Sequence, residues 1–238
     1  VPGSTRAAAS FVKMSLEEHA AQFLATRKDL GSVDVANTWK LLLTAEEIAR
    51  GVEKCAQAID EKFEGQDVVV VCILKGCAYF FVDVTRKLTI PYSTYFLEAS
   101  SYHNAQTQSE SVELLSILVP EKFVGKKVVL LDELYDNGFT LHNVRQKLLD
   151  EMKLKEEDIF TCTLFQKPHK KQNFPLPNLI GMKIPNVWVV GYGLDDQQEK
   201  RGWPDLWACP KMAGIPADED DELFASKDYY DKVRSTMP

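Results

Sequence analysis

The stretch Val128-Val129-Leu130-Leu131-Asp132-Glu133-Leu134-Tyr135-Asp136-Asn137-Gly138-Phe139-Thr140 decides how this chain is read. An apolar, β-branched run ends in two adjacent carboxylates. A further carboxylate follows, then Asn-Gly, then a hydroxyl. Leu141 to Leu149 continues with apolar residues at helical spacing. The pattern predicts a buried strand that passes through a short loop into a helix. It puts acidic groups and consecutive backbone N–H donors at the carboxyl edge of a sheet, where open α/β folds bind ligands.

The flanking sequence repeats that logic. Residues 15–30 have mixed helical character. Leu41 to Ile48 reads as a helix entry, with Thr44 as N-cap and Glu47 completing a capping box. That helix is expected to run to about Phe63 and to stop at Gly65. Val68 to Ile73 is apolar on both faces, which predicts an interior strand ended by Lys75-Gly76. Ala78 to Leu88 is amphipathic and helical, and Tyr92 to Leu97 alternates as a strand does. Ser100 to Ser111 is rich in Ser, Gln and Asn and is expected to be a mobile loop. Leu114 to Val119 reads as a short strand. Phe160 to Phe165 and Val187 to Val190 read as further buried strands, the first ended by Lys167-Pro168 and the second followed by Gly191-Tyr192-Gly193. This succession predicts an α/β fold with a mainly parallel, twisted sheet flanked by helices.

Composition narrows the function. The length suits one decorated α/β domain better than two. A formal charge of −7 disfavours broad binding to nucleic acid or to an acidic membrane. It leaves room for a locally basic phosphate site. No apolar run approaches the roughly 20 residues of a membrane span. Cys55, Cys72, Cys77, Cys162 and Cys209 include no Cys-x-x-Cys pair, so buried free thiols in a reducing, cytoplasmic setting are expected. Residues 1–14 read as a leader, with Val1-Pro2-Gly3-Ser4 set aside as an expression remnant. Residues 15–40 read as an N-terminal extension and 41–201 as the main domain. Residues 202–238, with Trp203, Trp207 and the acidic run Asp218 to Glu222, read as a segment wrapped on the domain and a polar tail.

A loop of the form Asp-Asn-Gly-x-Thr at a helix start offers N–H groups, a hydroxyl and the positive end of the helix dipole, which suits a phosphate dianion. Asp132 and Glu133 lie just before it and suit a ribose cis-diol or a hard cation. Asp136 is placed to act as a general base. The plain alternative is a strand-end turn with solvated acids. Lys75, Lys167 and Trp188 have plain alternatives too, two surface lysines and a core aromatic. His103 and His142 lack a metal-ligand partner at helical spacing and are assigned to the surface or to the substrate's vicinity.

Leu131 to Leu141 resembles the signature of the type I phosphoribosyltransferases. Four more segments follow in the order of the 6-oxopurine, hypoxanthine-guanine branch: Leu74-Lys75-Gly76, Ser101-Tyr102, Lys167, and Val189-Val190-Gly191-Tyr192-Gly193-Leu194-Asp195 with Arg201. The resemblance implies transfer of a phosphoribosyl group from phosphoribosyl pyrophosphate to a 6-oxopurine (hypoxanthine, guanine or xanthine), with Mg²⁺ as cofactor. It also implies a homodimer or homotetramer and a small hood made by the terminal segments. By position, Asp136 would be the acid/base beside purine N7, and Asp136, Asn137, Gly138, Phe139 and Thr140 would cradle the 5′-phosphate. Asp132 and Glu133 would hold the ribose hydroxyls, directly or through Mg²⁺. Lys75 and Gly76 would present N–H groups to pyrophosphate across a peptide bond often cis in relatives, with Ser101, Tyr102 and Arg201 also on the pyrophosphate side. Lys167 would donate to O6, Trp188 would stack on the purine, and the backbone at Val189 and Asp195 would read N1 and the C2 substituent. Asp195 would also lie near a second Mg²⁺.

The chain departs from the family pattern where Asp132-Glu133 replaces the usual Glu-Asp, Asn137 the usual Thr and Phe139 a frequent Lys. The alternative these departures keep open is a non-catalytic regulator of the same fold that senses phosphoribosyl pyrophosphate.

Overall fold

The computed structural model describes residues 14–26, 39–104, 109–114, 116, 118–167 and 173–209, with the side chains of 100–104, 109–114 and 209 excepted. The N-terminal helix α1 covers Leu16–Thr26. A short strand β1, Lys40–Leu43, precedes helix α2, Ala45–Phe63. Strand β2 (Val68–Leu74) leads to helix α3 (Ala78–Thr85). Strands β3 (Tyr92–Asn104) and β4 (Ser109–Leu114) follow. Next come β5 (Lys127–Tyr135), helix α4 (Phe139–Met152) and β6 (Ile159–Gln166). The described chain closes with β7 (Leu179–Lys183), β8 (Trp188–Val190) and β9 (Leu206–Cys209).

The main sheet has the order β4-β3-β2-β5-β6-β7. Its strands pair in parallel from β3 across to β7, and β4 is antiparallel at one edge. Alternation along the strands explains how both faces are filled. Val68, Val70, Cys72, Val129 and Leu131 pack on one face with Ile48, Val52, Ile59 and Phe63 of α2 and Phe80, Phe81 and Val84 of α3. Val69, Val71, Ile73, Val128 and Leu130 pack on the other with Leu141, Val144 and Leu148 of α4. Each large aliphatic side chain so buried contributes about 1.5–3 kcal/mol. A β-branched run buried on both faces is therefore the strongest local determinant of the fold.

The Thr44–Glu47 capping box forms as expected: the Thr44 hydroxyl accepts from Glu47 N–H, and the Glu47 carboxylate accepts from Thr44 N–H at 2.8 Å. Other expectations need correction. Leu41 to Leu43 belong to a strand, not to the helix entry. Ser100 to Ser111 is not read correctly as a loop: its described residues continue β3 and return as β4, in the register Ser101↔Val112 and Tyr102↔Ser111. The strand expected to begin at Leu114 ends there. Val187 to Val190 does not join the main sheet. It forms β8 of a separate antiparallel sheet, ordered β1-β9-β8, whose sequence-distant strands bring together the residues before and after the main sheet. The sixth strand of the main sheet is β7, which the sequence reading passed over.

Around the small sheet, Trp39, Val190, Trp203 and Trp207 form a third apolar cluster, and Phe23 of α1 and Trp188 pack against it. Phe23 stacks on Trp207 at 5.4 Å between centroids and meets Trp203 edge-on at 5.4 Å. His19 Nε2 lies 3.0 Å from the carboxylate of buried Asp205, which also accepts from Ala45 N–H at the start of α2. The N-terminal helix is thus fastened to the segment that follows Arg201.

Candidate functional site at the carboxyl edge of the parallel sheet

Parallel pairing of β2, β5 and β6 delivers three chain segments to one edge. These are Lys75-Gly76 after β2, Asp132 to Gly138 at the end of β5, and Lys167 after β6. Helix α4 starts at this edge, and a shallow concavity there is lined by Asp132, Leu134 to Gly138, Thr140 and Leu141.

Gly138 is the N-cap of α4 and has φ +86°. A Cβ at that position would come 2.4 Å from the Tyr135 hydroxyl, so backbone conformation and space both call for glycine. The Asn137 side chain accepts from Phe139 N–H at 2.9 Å, closing the turn before the helix. Asn137 therefore keeps the loop compact through its own side chain. The α4 N-terminus leaves N–H groups at the mouth, suited to phosphate.

Asp132 is buried, and its carboxylate accepts from Glu133 N–H at 3.1 Å. Burial pushes the Asp132 carboxyl well above the usual carboxylate range, and the Glu133 charge pushes the same way. Burial raises Glu133 too, while a hydrogen bond with Asp132 and the Arg201 charge draw it back. Glu133 also sits against the Lys75-Gly76 loop, since a Cβ on Gly76 would lie 1.8 Å from Glu133 Oε1. The Leu74–Lys75 peptide bond is cis. The Lys75 ammonium is mostly exposed and lies 3.9 Å from Glu98.

Lys167 Nζ lies 3.2 Å from Asp136 Oδ2, with the Lys167 side chain 8% exposed and that of Asp136 46% exposed. A nearly buried cation and a half-open carboxylate therefore stand side by side at the loop. On the far side, the turn at Gly191 to Leu194 brings Gly193 against Gly76. Arg201 pairs with Asp195 at 2.7 Å and donates to the Gly193 carbonyl at 2.7 Å. Trp188 packs on the tryptophan cluster, and its buried Nε1 has no partner among the described residues. Val189 is buried in β8, paired with Ala208. Ser101 and Tyr102 have described backbone in the β3–β4 hairpin only.

Thus Asp132, Glu133, Asp136 to Thr140, Lys75, Gly76 and Lys167 gather at one edge, and Asp195 and Arg201 face Glu133 closely enough for their charges to act on it. Among the described residues no group of three or more His, Cys, Asp or Glu converges as a metal cage. Mg²⁺ is commonly held by one or two carboxylates together with substrate phosphates. The adjacent Asp132 and Glu133 offer hard carboxylate oxygens side by side at this edge and fit that mode. Sequence reading missed Tyr135, which underlies the loop, and the contact of Gly193 with Gly76. The signal for the second was the pair of glycines around Tyr192.

A parallel sheet with a glycine-opened helix mouth at its carboxyl edge is the class of site that takes a phosphorylated ligand. Residues 38–197 match the family model of the phosphoribosyl transferase domain, and the chain belongs to that family. It is 32% identical over 172 residues to the hypoxanthine phosphoribosyltransferase of Escherichia coli K12, covering 71% of this chain and 93% of the relative. It is 30% identical over 165 residues to the hypoxanthine-guanine phosphoribosyltransferase of Staphylococcus aureus Mu50, covering 69% and 90%. The crystal structure of a hypoxanthine-guanine phosphoribosyltransferase from Bacillus anthracis superposes with a TM-score of 0.62 at 29% identity, covering 71% of this chain and 96% of that one. Among the described residues no helix is long and apolar enough to cross a membrane.

Proposed function

We propose that the protein is a purine-salvage phosphoribosyltransferase that joins a 6-oxopurine to phosphoribosyl pyrophosphate, releasing pyrophosphate and forming the nucleoside monophosphate. The observation that carries this reading is the Lys167–Asp136 pair beside the phosphate loop. A 6-oxopurine carries an acceptor, O6, next to N7. The Lys167 ammonium is a donor only, so it suits O6. An ionised Asp136 is an acceptor only, so it suits a protonated N7. A 6-aminopurine would turn its amino donors toward the ammonium and lose that hydrogen bond. The names of the relatives agree with a 6-oxopurine substrate.

In this reading the mouth of α4 holds the 5′-phosphate and Asp132 and Glu133 hold the ribose hydroxyls. Lys75 and Gly76 meet the pyrophosphate, and Arg201 is drawn from Asp195 to join them. Purine N9 forms a bond to ribose C1 as the C1–oxygen bond to pyrophosphate breaks. Asp136 accepts the proton that leaves N7. Trp188 stacks on the base, and Val189 and Asp195 read its far edge. Asp132 and Glu133, with Asp195 nearby, would hold Mg²⁺, which supplies charge neutralisation for the departing oxygens. Ser101 and Tyr102 belong to the β3–β4 hairpin that would shield the reacting centre from water.

The test is product formation from hypoxanthine, guanine, xanthine and adenine in turn, each with phosphoribosyl pyrophosphate and Mg²⁺. The reading expects turnover with hypoxanthine or guanine and none with adenine. Tight binding of phosphoribosyl pyrophosphate without product would support the regulator instead, a possibility the Asp132-Glu133 order keeps in view.

A further inference from the structure

Tyr135 holds both ends of the connection from Lys167 to Phe174. Its carbonyl accepts from Lys167 N–H at 3.0 Å. Its hydroxyl donates to the Phe174 carbonyl at 2.9 Å, with the Pro175 carbonyl at 3.3 Å sharing the same proton. The ring lies buried beneath Gly138, touching the point where the phosphate loop enters α4. Phe174 in turn lays its ring on His142, 4.7 Å between centroids, and 6.0 Å from Phe139 in the first turn of the same helix. The loop that would take the phosphate and the strand end that would take the base are therefore joined through one residue, by its backbone carbonyl to Lys167 and by its side chain to Gly138 and Phe174.

We propose that Tyr135 is a positioning residue that fixes the separation between the phosphate-binding loop and the base-reading Lys167; this rests on the phosphoribosyltransferase reading above. The physical case is that three rigid contacts converge on it. The backbone bond sets the height of Lys167 relative to the loop. The ring supports Gly138 from below. The hydroxyl pins the returning segment at Phe174, which braces the helix start. The two carbonyls give the buried hydroxyl acceptors within hydrogen-bond distance, so its proton is satisfied by this segment. Removing the hydroxyl leaves the Phe174 carbonyl with one partner fewer and frees the segment to shift against the loop. A ligand that touches only the phosphate loop tolerates such a shift. A ligand that bridges the loop and Lys167 does not, since its own length is fixed.

Tyr135→Phe keeps the ring and removes only the oxygen. The experiment measures binding of inosine monophosphate, which spans both halves, and of phosphoribosyl pyrophosphate, which lacks the base. Thermal unfolding is followed in parallel. The expected result is a loss of roughly 3–10-fold in inosine monophosphate affinity, the size of one buried neutral hydrogen bond, with phosphoribosyl pyrophosphate affinity changed by less than about twofold on the same scale. Equal weakening of both ligands, or a lower melting temperature with both affinities unchanged, would overturn the positioning role. Wild-type protein that binds neither ligand would remove the phosphoribosyltransferase reading itself, and this inference with it.

Discussion

Gly193 and Gly76 meet backbone to backbone: a Cβ built on Gly193 would stand 2.0 Å from the Gly76 carbonyl oxygen. Gly193 also has φ +100°, a conformation that side chains resist. The turn carrying Asp195 and Arg201 can approach the Lys75-Gly76 loop only because Gly193 has no side chain there, while a Cβ on Gly76 would meet Glu133 instead. Gly193→Ala is expected to push the two loops apart. In the proposed reaction that raises KM for phosphoribosyl pyrophosphate by roughly 10-fold or more, because a displacement near 1 Å is costly in a positioned site. Steady-state kinetics check this, and an unchanged KM would show that the two loops need not touch.

The Lys167–Asp136 pair makes a prediction about coupling. Lys167→Ala is expected to weaken binding of hypoxanthine and guanine while sparing the sugar side. Asp136→Asn is expected to lower turnover by roughly 10²-fold or more, with folding nearly intact. The two side chains touch each other, so the effects should not add. In Lys167→Ala the carboxylate of Asp136 loses the Lys167 ammonium, and part of the damage from losing Asp136 has then already occurred. The double variant is expected to be better than the product of the single effects by roughly 3-fold or more, the scale of coupling between residues in contact. Additive losses in kcat/KM would mean that the pair acts as two separate groups.

The N-terminal helix supports a stability prediction. Phe23 fills the space between Trp203 and Trp207, and Trp39 meets Trp203 on the other side at 6.1 Å. These rings back the small sheet that carries Trp188 and Val189. Phe23→Ala would leave a void among aromatic rings. Phe23 is only partly buried, so the cost should fall below the about 3–5 kcal/mol of a core phenylalanine. A drop of about 1–2 kcal/mol in chemical denaturation is expected, roughly half that range. A variant as stable as the wild type would show that α1 is an ornament on the fold.

Much of the fold was legible because its determinants are local. Val68 to Ile73 declares an interior strand by its composition, and Thr44 with Glu47 declares a helix start by hydrogen-bonding chemistry alone. The misreadings share a cause, since each depended on a partner far along the chain. Leu41 to Leu43 are apolar without a period, and only Leu206 to Ala208 across from them make that run a strand. Ser100 to Ser111 look like a loop by composition, but β-pairing satisfies backbone groups whatever the side chains are. Leu179 to Lys183 is short and bounded by Pro177 and Pro185, which disguised an edge strand.

The site divides in the same way. Asp132, Asp136 and Lys167 could be placed at one edge because strand-end residues of a parallel sheet must share it. The Tyr135–Phe174 bond could not be read, because its acceptor is a backbone carbonyl and carbonyls leave no trace in a sequence.

Asp158 carries the last prediction, which concerns acid stability away from the site. Its carboxylate accepts from the Lys127 ammonium at 2.7 Å, where β5 begins, and from Lys155 N–H at 3.1 Å in the turn before β6. The Lys127 hydrogen bond, helped by that of Lys155, holds the Asp158 carboxyl below its ordinary value. A carboxyl lowered in the folded state contributes stability above its unfolded value and loses it as pH falls through the folded one. Asp158→Asn keeps the shape and removes the charge. At pH 7 it is expected to lower Tm by about 1–3 °C, as suits a partly exposed pair in a chain of this size. The gap between wild type and variant should close as pH drops below the usual carboxylate range, because both then carry a neutral side chain. It should narrow in high salt at neutral pH as well, since the pair is open enough to be screened. Melting curves from pH 7 down to the acid limit test both trends. A gap that stays constant with pH would assign the loss to the turn hydrogen bond at Lys155 and not to the ion pair with Lys127.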